Sequence, residues 1–411
     1  MTHPRRPRLR VLAASAAALV LVLAPALPAA AAPVVEEVPG GLLASSIVEY
    51  EGLLYLGSDS GLRSFDGTTF TPVPGSPDHA RDFVEYLGDL WMIGGDPTAG
   101  QASLWRFDGA AITQVEPFAL NPVVIGGLLY LELGDALGDW VVASHDGVTT
   151  TPAPGSPTDV SSLVAGPNGE IVYTSGSPRK LWTFDGVATH AEVPHAGAPV
   201  DVRDPVNLPG ALAFSAEENP GDDLAAYTWD GSAFTKLGVS GGGAIEPGCF
   251  VEEAGTLYYA ADDGTARMFS ATPGLAGSET AVTPTIPSGC PRYVATDGTF
   301  YLQALGAAGA DPTLHTWDGA TLVQLDAVGA FPKDFVEYGG KLYFIAQPVS
   351  ETPALFVLED VATTPTAPVA PTPPTLPPTG DEVSPLAIGL GALLVVGGAG
   401  ILLVVARRRR A

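Results

Sequence analysis

The chain has 411 residues, and 45 acidic side chains against 19 lysines and arginines leave it at a net −26. That imbalance argues against nucleic acid or anionic lipid as a partner, because both are held by cationic side chains that neutralise phosphate.

The first segment reads as an export signal. "MTHPRRPRLR" is a cationic lead, "VLAASAAALVLVLAPALP" an apolar core and "AAAA" a run of small residues suited to a signal peptidase. The expected signal peptide is 1–31, cut between Ala31 and Ala32, since cutting one residue later would place Pro33 directly after the scissile bond.

From 33 to 361 the chain repeats. Strands of the "LYL" type recur at Leu54, Leu90, Leu129, Ile171, Leu212, Leu257, Phe300 and Leu342, about 41 residues apart. An aspartate-glycine pair runs in phase at Asp66, Asp108, Asp146, Asp185, Asp230 and Asp318, while the sixth unit has "ATPG" and the eighth ends in "LED" at Asp360. In the second unit "DFVEY", "DLWMIGG", "SLWRF" and "AAITQV" read as four strands, with Asp108-Gly109 as a two-residue type I′ hairpin turn. The recurring aspartates are thus read as turn formers. Four strands per unit with almost no helical periodicity predicts an all-β fold, a β-propeller of about eight four-stranded blades. The eighth unit lacks a fourth strand, and "PVVEEV", Pro33 to Val38, is expected to supply it so that no sheet edge stays open.

"DFVEYGGKLYFIA" and "LWRFDG" resemble the ELWxxDGT-type bacterial surface repeats, in which a "GGKLYF" hairpin precedes an "LW…DG" hairpin. The likeness covers residues 47–360 and implies the propeller, but no ligand, because propellers host unrelated activities.

Cys249 and Cys290 stand 41 apart, one repeat, each just before a first strand, which places them on neighbouring blades near one rim. An even count in an exported chain favours a disulfide between them. Motifs of nucleophilic or metal chemistry (H-E-x-x-H, G-x-S-x-G, C-x-x-C) do not occur, so no catalytic residue is assigned and the chain is not expected to be an enzyme. His190 and His195 read as part of a solvated loop. Glu49, Glu85, Glu252 and Glu337 recur in the first strand as "VEY" or "VEE". They are candidates for ligand or cation contacts around the central channel, the other reading being solvated groups at its mouth. Glu217, Glu218, Asp222 and Asp223 form an acidic stretch that reads as a hydrophilic hairpin tip or as a Ca²⁺ loop. No cofactor is expected, and Ca²⁺ is the one candidate cation.

Residues 362–375, "ATTPTAPVAPTPPT", are proline and threonine without apolar periodicity, an extended stalk rather than a core. Leu376, Pro377, Pro378, Thr379 and Gly380 follow. Residues 385–406 carry no charge and are long enough as a helix to cross a bilayer, and Arg407 to Arg410 would hold the cytoplasmic side. This arrangement, 376–411, resembles the LPxTG cell-wall sorting signal of Gram-positive surface proteins. The resemblance implies that a sortase cuts between Thr379 and Gly380 and that Thr379 becomes amide-linked to peptidoglycan, so the protein is secreted, passes through the plasma membrane and ends in the cell wall. Processing to 32–379 would remove eight arginines and two acids, taking the net charge to −32. The expected function is binding or adhesion to an extracellular glycan or protein, the alternatives being a propeller enzyme acting on extracellular polysaccharide and a purely structural wall protein.

Overall fold

The structure, a computed structural model, describes residues 34–359 apart from 43, 96–101, 135–137, 194–198, 239–246, 263–264, 296–297, 306–311, 326–329 and 348–351. The chain divides into two units between Val361 and Ala362. The stalk, the sorting motif, the apolar span 385–406, the basic tail, the signal peptide with its Ala31/Ala32 junction, and His195 lie outside the described residues.

Among the described residues the chain forms eight four-stranded antiparallel sheets. Blades 1 to 7 occupy residues 44–72, 81–117, 119–152, 161–192, 200–236, 248–281 and 290–324, each running from an innermost to an outermost strand in sequence order. The eighth takes three strands from 330–359 and its outermost strand, Val34–Leu42, from the other end of the sequence. Val34 pairs with Glu359, Val35 with Leu358, Glu36 with Val357 and Glu37 with Phe356. The expected closing strand is therefore present and runs four residues past Val38. Innermost strands of successive blades pack side by side, blade 8 against blade 1 included.

The second strands explain why a propeller forms. Leu54, Leu90, Leu129, Leu212 and Leu257 are 0% exposed, and the other three repeat markers are also buried. A strand's side chains alternate between its two faces. In blade 2, Leu90 and Met92 join a cluster with Tyr50, Tyr55 and Leu62 of blade 1, whereas Trp91 and Ile93 join Leu129, Leu131 and Ala143 of blade 3. A strand buried on both faces reads as a continuous apolar run such as "LWMI", so each blade needs a neighbour on either side. Eight clusters among the described residues each bridge two consecutive blades, and the one holding Val38 joins blade 8 to blade 1. The core is thus a ring of interfaces.

The aspartate-glycine turns are wider than the sequence reading expects. Phe65 pairs with Phe70, Phe107 with Ile112 and Trp229 with Phe234, leaving four-residue loops, and Phe184 pairs with His190 across five. Each aspartate accepts backbone N–H bonds from the residues two and three positions on, at 2.8 and 2.7 Å for Asp66 and 2.9 and 2.8 Å for Asp108. Only the glycine enters the left-handed region, with φ of 94° at Gly67 and 86° at Gly109. The correction has a simple cause: a carboxylate that caps two amides stabilises the longer loop, so the aspartate itself keeps negative φ. The sixth blade instead joins its third and outermost strands through residues 272–279, and its outermost strand shrinks to Thr280–Ala281.

Candidate functional site

A four-stranded meander places its first and third turns on one face of the ring and its middle turn and the blade-to-blade link on the other. The first face carries the aspartate-glycine turns and the four glutamates. Hydrogen bonds to backbone amides hold the Asp108 and Asp146 carboxyls below the usual range, and for Asp66 the Thr68 hydroxyl is the larger cause. These groups are committed to their own loops.

The glutamates sit at the ends of innermost strands beside the first turn. Glu49, Glu85 and Glu337 are exposed and Glu252 is half-buried. Glu252 accepts the Gly255 N–H at 2.5 Å, and Glu337 accepts the Tyr293 hydroxyl of the neighbouring blade at 2.5 Å. The acidic stretch of blade 5 is also occupied locally. Glu217 accepts the Gly221 N–H at 2.6 Å, Asp222 accepts both Asn219 nitrogens at 3.0 and 2.8 Å, and Glu218 meets Lys236 at 2.6 Å. No group of three or more His, Cys, Asp or Glu among the described residues is placed to hold a metal ion.

In "VEY" the tyrosine also joins blades, and does so more often than the glutamate. Tyr50 donates to the Gly88 carbonyl at 2.7 Å, Tyr86 to His145 at 3.1 Å and Tyr338 to Gly52 at 3.1 Å, each in the following blade. Burial pushes the Tyr50 and Tyr86 hydroxyls up from their ordinary pKa. The signal was available in the sequence, since tyrosine recurs with glutamate in the same word.

At the other end of the innermost strands the structure assembles a site that sequence reading missed. Every innermost strand carries a register shift against its partner. Asp82, Asn121, Ser162, Asp204, Cys249 and Asp334 occupy these bulges with φ between 48° and 60°. Asn and Asp tolerate this conformation better than most residues, and a bulge re-aims its side chain. Asp82 and Asp334 are accessible to water yet hemmed in by the ring of strands, and burial raises both carboxyls, opposed by Arg81 and Lys333 at Asp82 and by Lys333 and Arg292 at Asp334. Burial also raises Glu132, which is 3% exposed and accepts the Asn121 amide at 2.7 Å. Lys333 donates to the Ser45 carbonyl at 2.8 Å and lies 3.9 Å from Asp334. Acids and bases of blades 2, 3, 7 and 8 thus meet around the channel.

Cys249 and Cys290 are joined in a disulfide with their Cα atoms 5.4 Å apart, tying the start of blade 6 to the start of blade 7. On the aspartate-glycine face, a cleft of 620 Å³ opens between blades 4 and 5, lined among others by Asn168, Glu170, Phe184, Asp185, Trp229 and Ser232. Trp229 is 3% exposed and its indole Nε1 has no partner. Phe184 stacks on His190 at 4.2 Å, and His190 Nδ1 lies 2.8 Å from the Tyr173 hydroxyl. His190 is therefore a half-buried strand residue behind this wall and not part of a solvated loop, because the ring stack removes it from water.

Residues 368–411 match the family described as the LPXTG cell wall anchor motif. No curated protein matches the chain. Among solved structures, the computationally designed Ika8 protein is similar at TM-score 0.54 and 12% identity, over 78% of this chain and 98% of that one. A streptogramin B lyase gives TM-score 0.42 and 13% identity, over 80% and 98%. The β-propeller domain of the Trilobed protease from Pyrococcus furiosus, described as having an open velcro topology, gives 0.41 and 10%, over 77% and 95%. With the anchor motif at one end of the chain and eight closed blades before it, this is a cell-wall-anchored surface protein that displays a β-propeller.

Proposed function

We propose that the propeller is a binding or adhesion module for an extracellular glycan or protein, held outward by covalent attachment through Thr379. The reading is carried by the cleft between blades 4 and 5, where buried aromatic rings meet carboxylates, an amide and a hydroxyl in a space of 620 Å³. Mixed linings of this kind bury the apolar part of a ligand while a few polar groups orient it. A closed ring of interfaces supplies the rigid support, and an outward-facing anchor brings its faces to partners outside the cell. Screening the mature chain, residues 32–379, against glycan and surface-protein arrays with and without Ca²⁺ tests the reading. Saturable binding supports it, and silence leaves a purely structural wall protein.

A second reading, an enzyme acting on extracellular polysaccharide, draws on the exposed acids Asp82 and Asp334 and the buried Glu132. A carboxyl raised by its surroundings is suited to proton transfer, and several meet at the channel here. Release of shorter sugars from polysaccharides in the same screen would favour it.

A further inference from the structure

The other face of the ring holds a second cleft, and the molecule's few cations point to it. Eleven lysines and arginines lie between 32 and 379, and all are among the described residues. Ten have partners. Arg81, Arg106, Lys180, Arg203, Lys236 and Lys341 pair with carboxylates. Arg63 donates to the Gly40 carbonyl, Arg292 to Gln303 and Lys333 to Ser45, and Arg267 lies over the Phe269 ring. The Arg179 side chain alone, among the described residues, has none, and it is exposed.

In a chain with so many spare acids, an arginine left unpaired is a free donor fork. It lines a cleft of 690 Å³ built from the third strand of blade 3, the link into blade 4, the middle turn of blade 4 and the innermost strand of blade 5. That volume falls within the roughly 300–1,000 Å³ of small-molecule sites. Across the same cleft stands Asp159, exposed and likewise unpaired, so the two opposite charges do not meet. Ser177 adds an exposed hydroxyl. Trp140 supplies a half-buried ring. That ring is fixed by its cross-strand partner Gly134, where an added Cβ would come within 2.9–3.0 Å of three ring carbons, so only glycine lets the indole lie there.

We propose that this cleft binds a glycan bearing a carboxylate, such as a uronic acid, with Arg179 taking the carboxylate. Trp140 meets the apolar face of the sugar ring, while Asp159 and Ser177 take its hydroxyls. A guanidinium fork matches a carboxylate with two parallel hydrogen bonds, which a lone ammonium does not. The acidic charge elsewhere on the propeller is screened beyond about 8 Å at physiological salt, so the contact group governs affinity. This inference rests on the propeller being a binding module and names the ligand class for it.

The test is calorimetric titration of the mature chain with oligosaccharides containing galacturonate, glucuronate or muramic acid, each beside its methyl ester. At least one acid should bind, its ester should bind about tenfold or more weakly, and Arg179→Gln should lose about as much while Arg179→Lys loses less. Trp140→Ala should weaken acid and ester alike. Equal binding of acid and ester, unchanged binding by Arg179→Gln, or silence across the whole panel would overturn the proposal. Binding of a neutral glycan or of a protein that Arg179→Gln leaves untouched would overturn it while sparing the binding module. Binding of a short peptide through its C-terminal carboxylate, lost in Arg179→Gln without any glycan binding, would assign the site to another class.

Discussion

Closure by the first strand makes a quantitative prediction at one residue. Val38 is 8% exposed and packs in the cluster that joins blade 8 to blade 1, with Ile47, Leu54, Ile345 and Val357 around it. Val34, on the same strand, is 49% exposed. Val38→Ala removes two buried carbons, worth about 0.8 kcal/mol each in transfer with a further contribution from the cavity, so about 2 kcal/mol in all. At about 2.1 cal/mol/K per residue, a propeller of this length unfolds with roughly 0.7 kcal/mol/K, and the melting temperature should fall by about 3 °C. Val34→Ala, the same chemistry on an exposed site, should shift it by well under 1 °C. Scanning calorimetry of the mature chain measures both. Equal melting of the two variants would refute the closing strand, because an undocked segment has no buried residue to lose.

Replacing Cys249 and Cys290 together by serine reopens a 41-residue loop, and chain entropy assigns such a crosslink about 3–4 kcal/mol, read as a lower melting temperature without reductant. The Asp108 carboxyl is held low by the amides of Ala111 and Ala110. Its contribution is therefore full above the unfolded value of about 3.9 and lost as pH falls through the folded one. Asp108→Asn should thus melt below wild type at pH 6, with the difference shrinking as pH falls below the unfolded value of about 3.9. Asp82 has the opposite sign. Burial raises its carboxyl, so its contribution is present at low pH and lost as pH rises, and Asp82→Asn should melt above wild type at pH 7 and level with it near pH 3. Thr379→Ala should move the protein from the wall fraction to membrane or medium on immunoblots of fractionated cells, and equal wall retention would exclude Thr379 as the attachment point.

Whatever depends on local period and order was legible before any folding was considered. Short apolar runs every 41 residues or so, bounded by turn residues and rich in aromatic and branched side chains, read as strands buried on both faces, and this yields the blades, their number and the surplus strand at "PVVEEV". The anchor motif was legible for the same reason, as consecutive residues in fixed order. The aspartates were rightly read as turn formers but in too short a turn, because Asp-Gly is compatible with a two-residue loop and with a capped four-residue one. The tertiary structure alone decided which ends of the strands meet. A bulge adds one residue to a strand without altering its composition, yet it re-aims Asp82, Asn121 and Asp334 and brings charges of four blades around one channel. Similarly, Trp140, Asp159 and Arg179 belong to a strand, a link and a turn, and nothing in their spacing reveals that they border a common space. Strand periodicity constrains each residue against its nearest neighbours, whereas a site between blades depends on the rotation of one sheet against the next, which is set by packing across the whole ring.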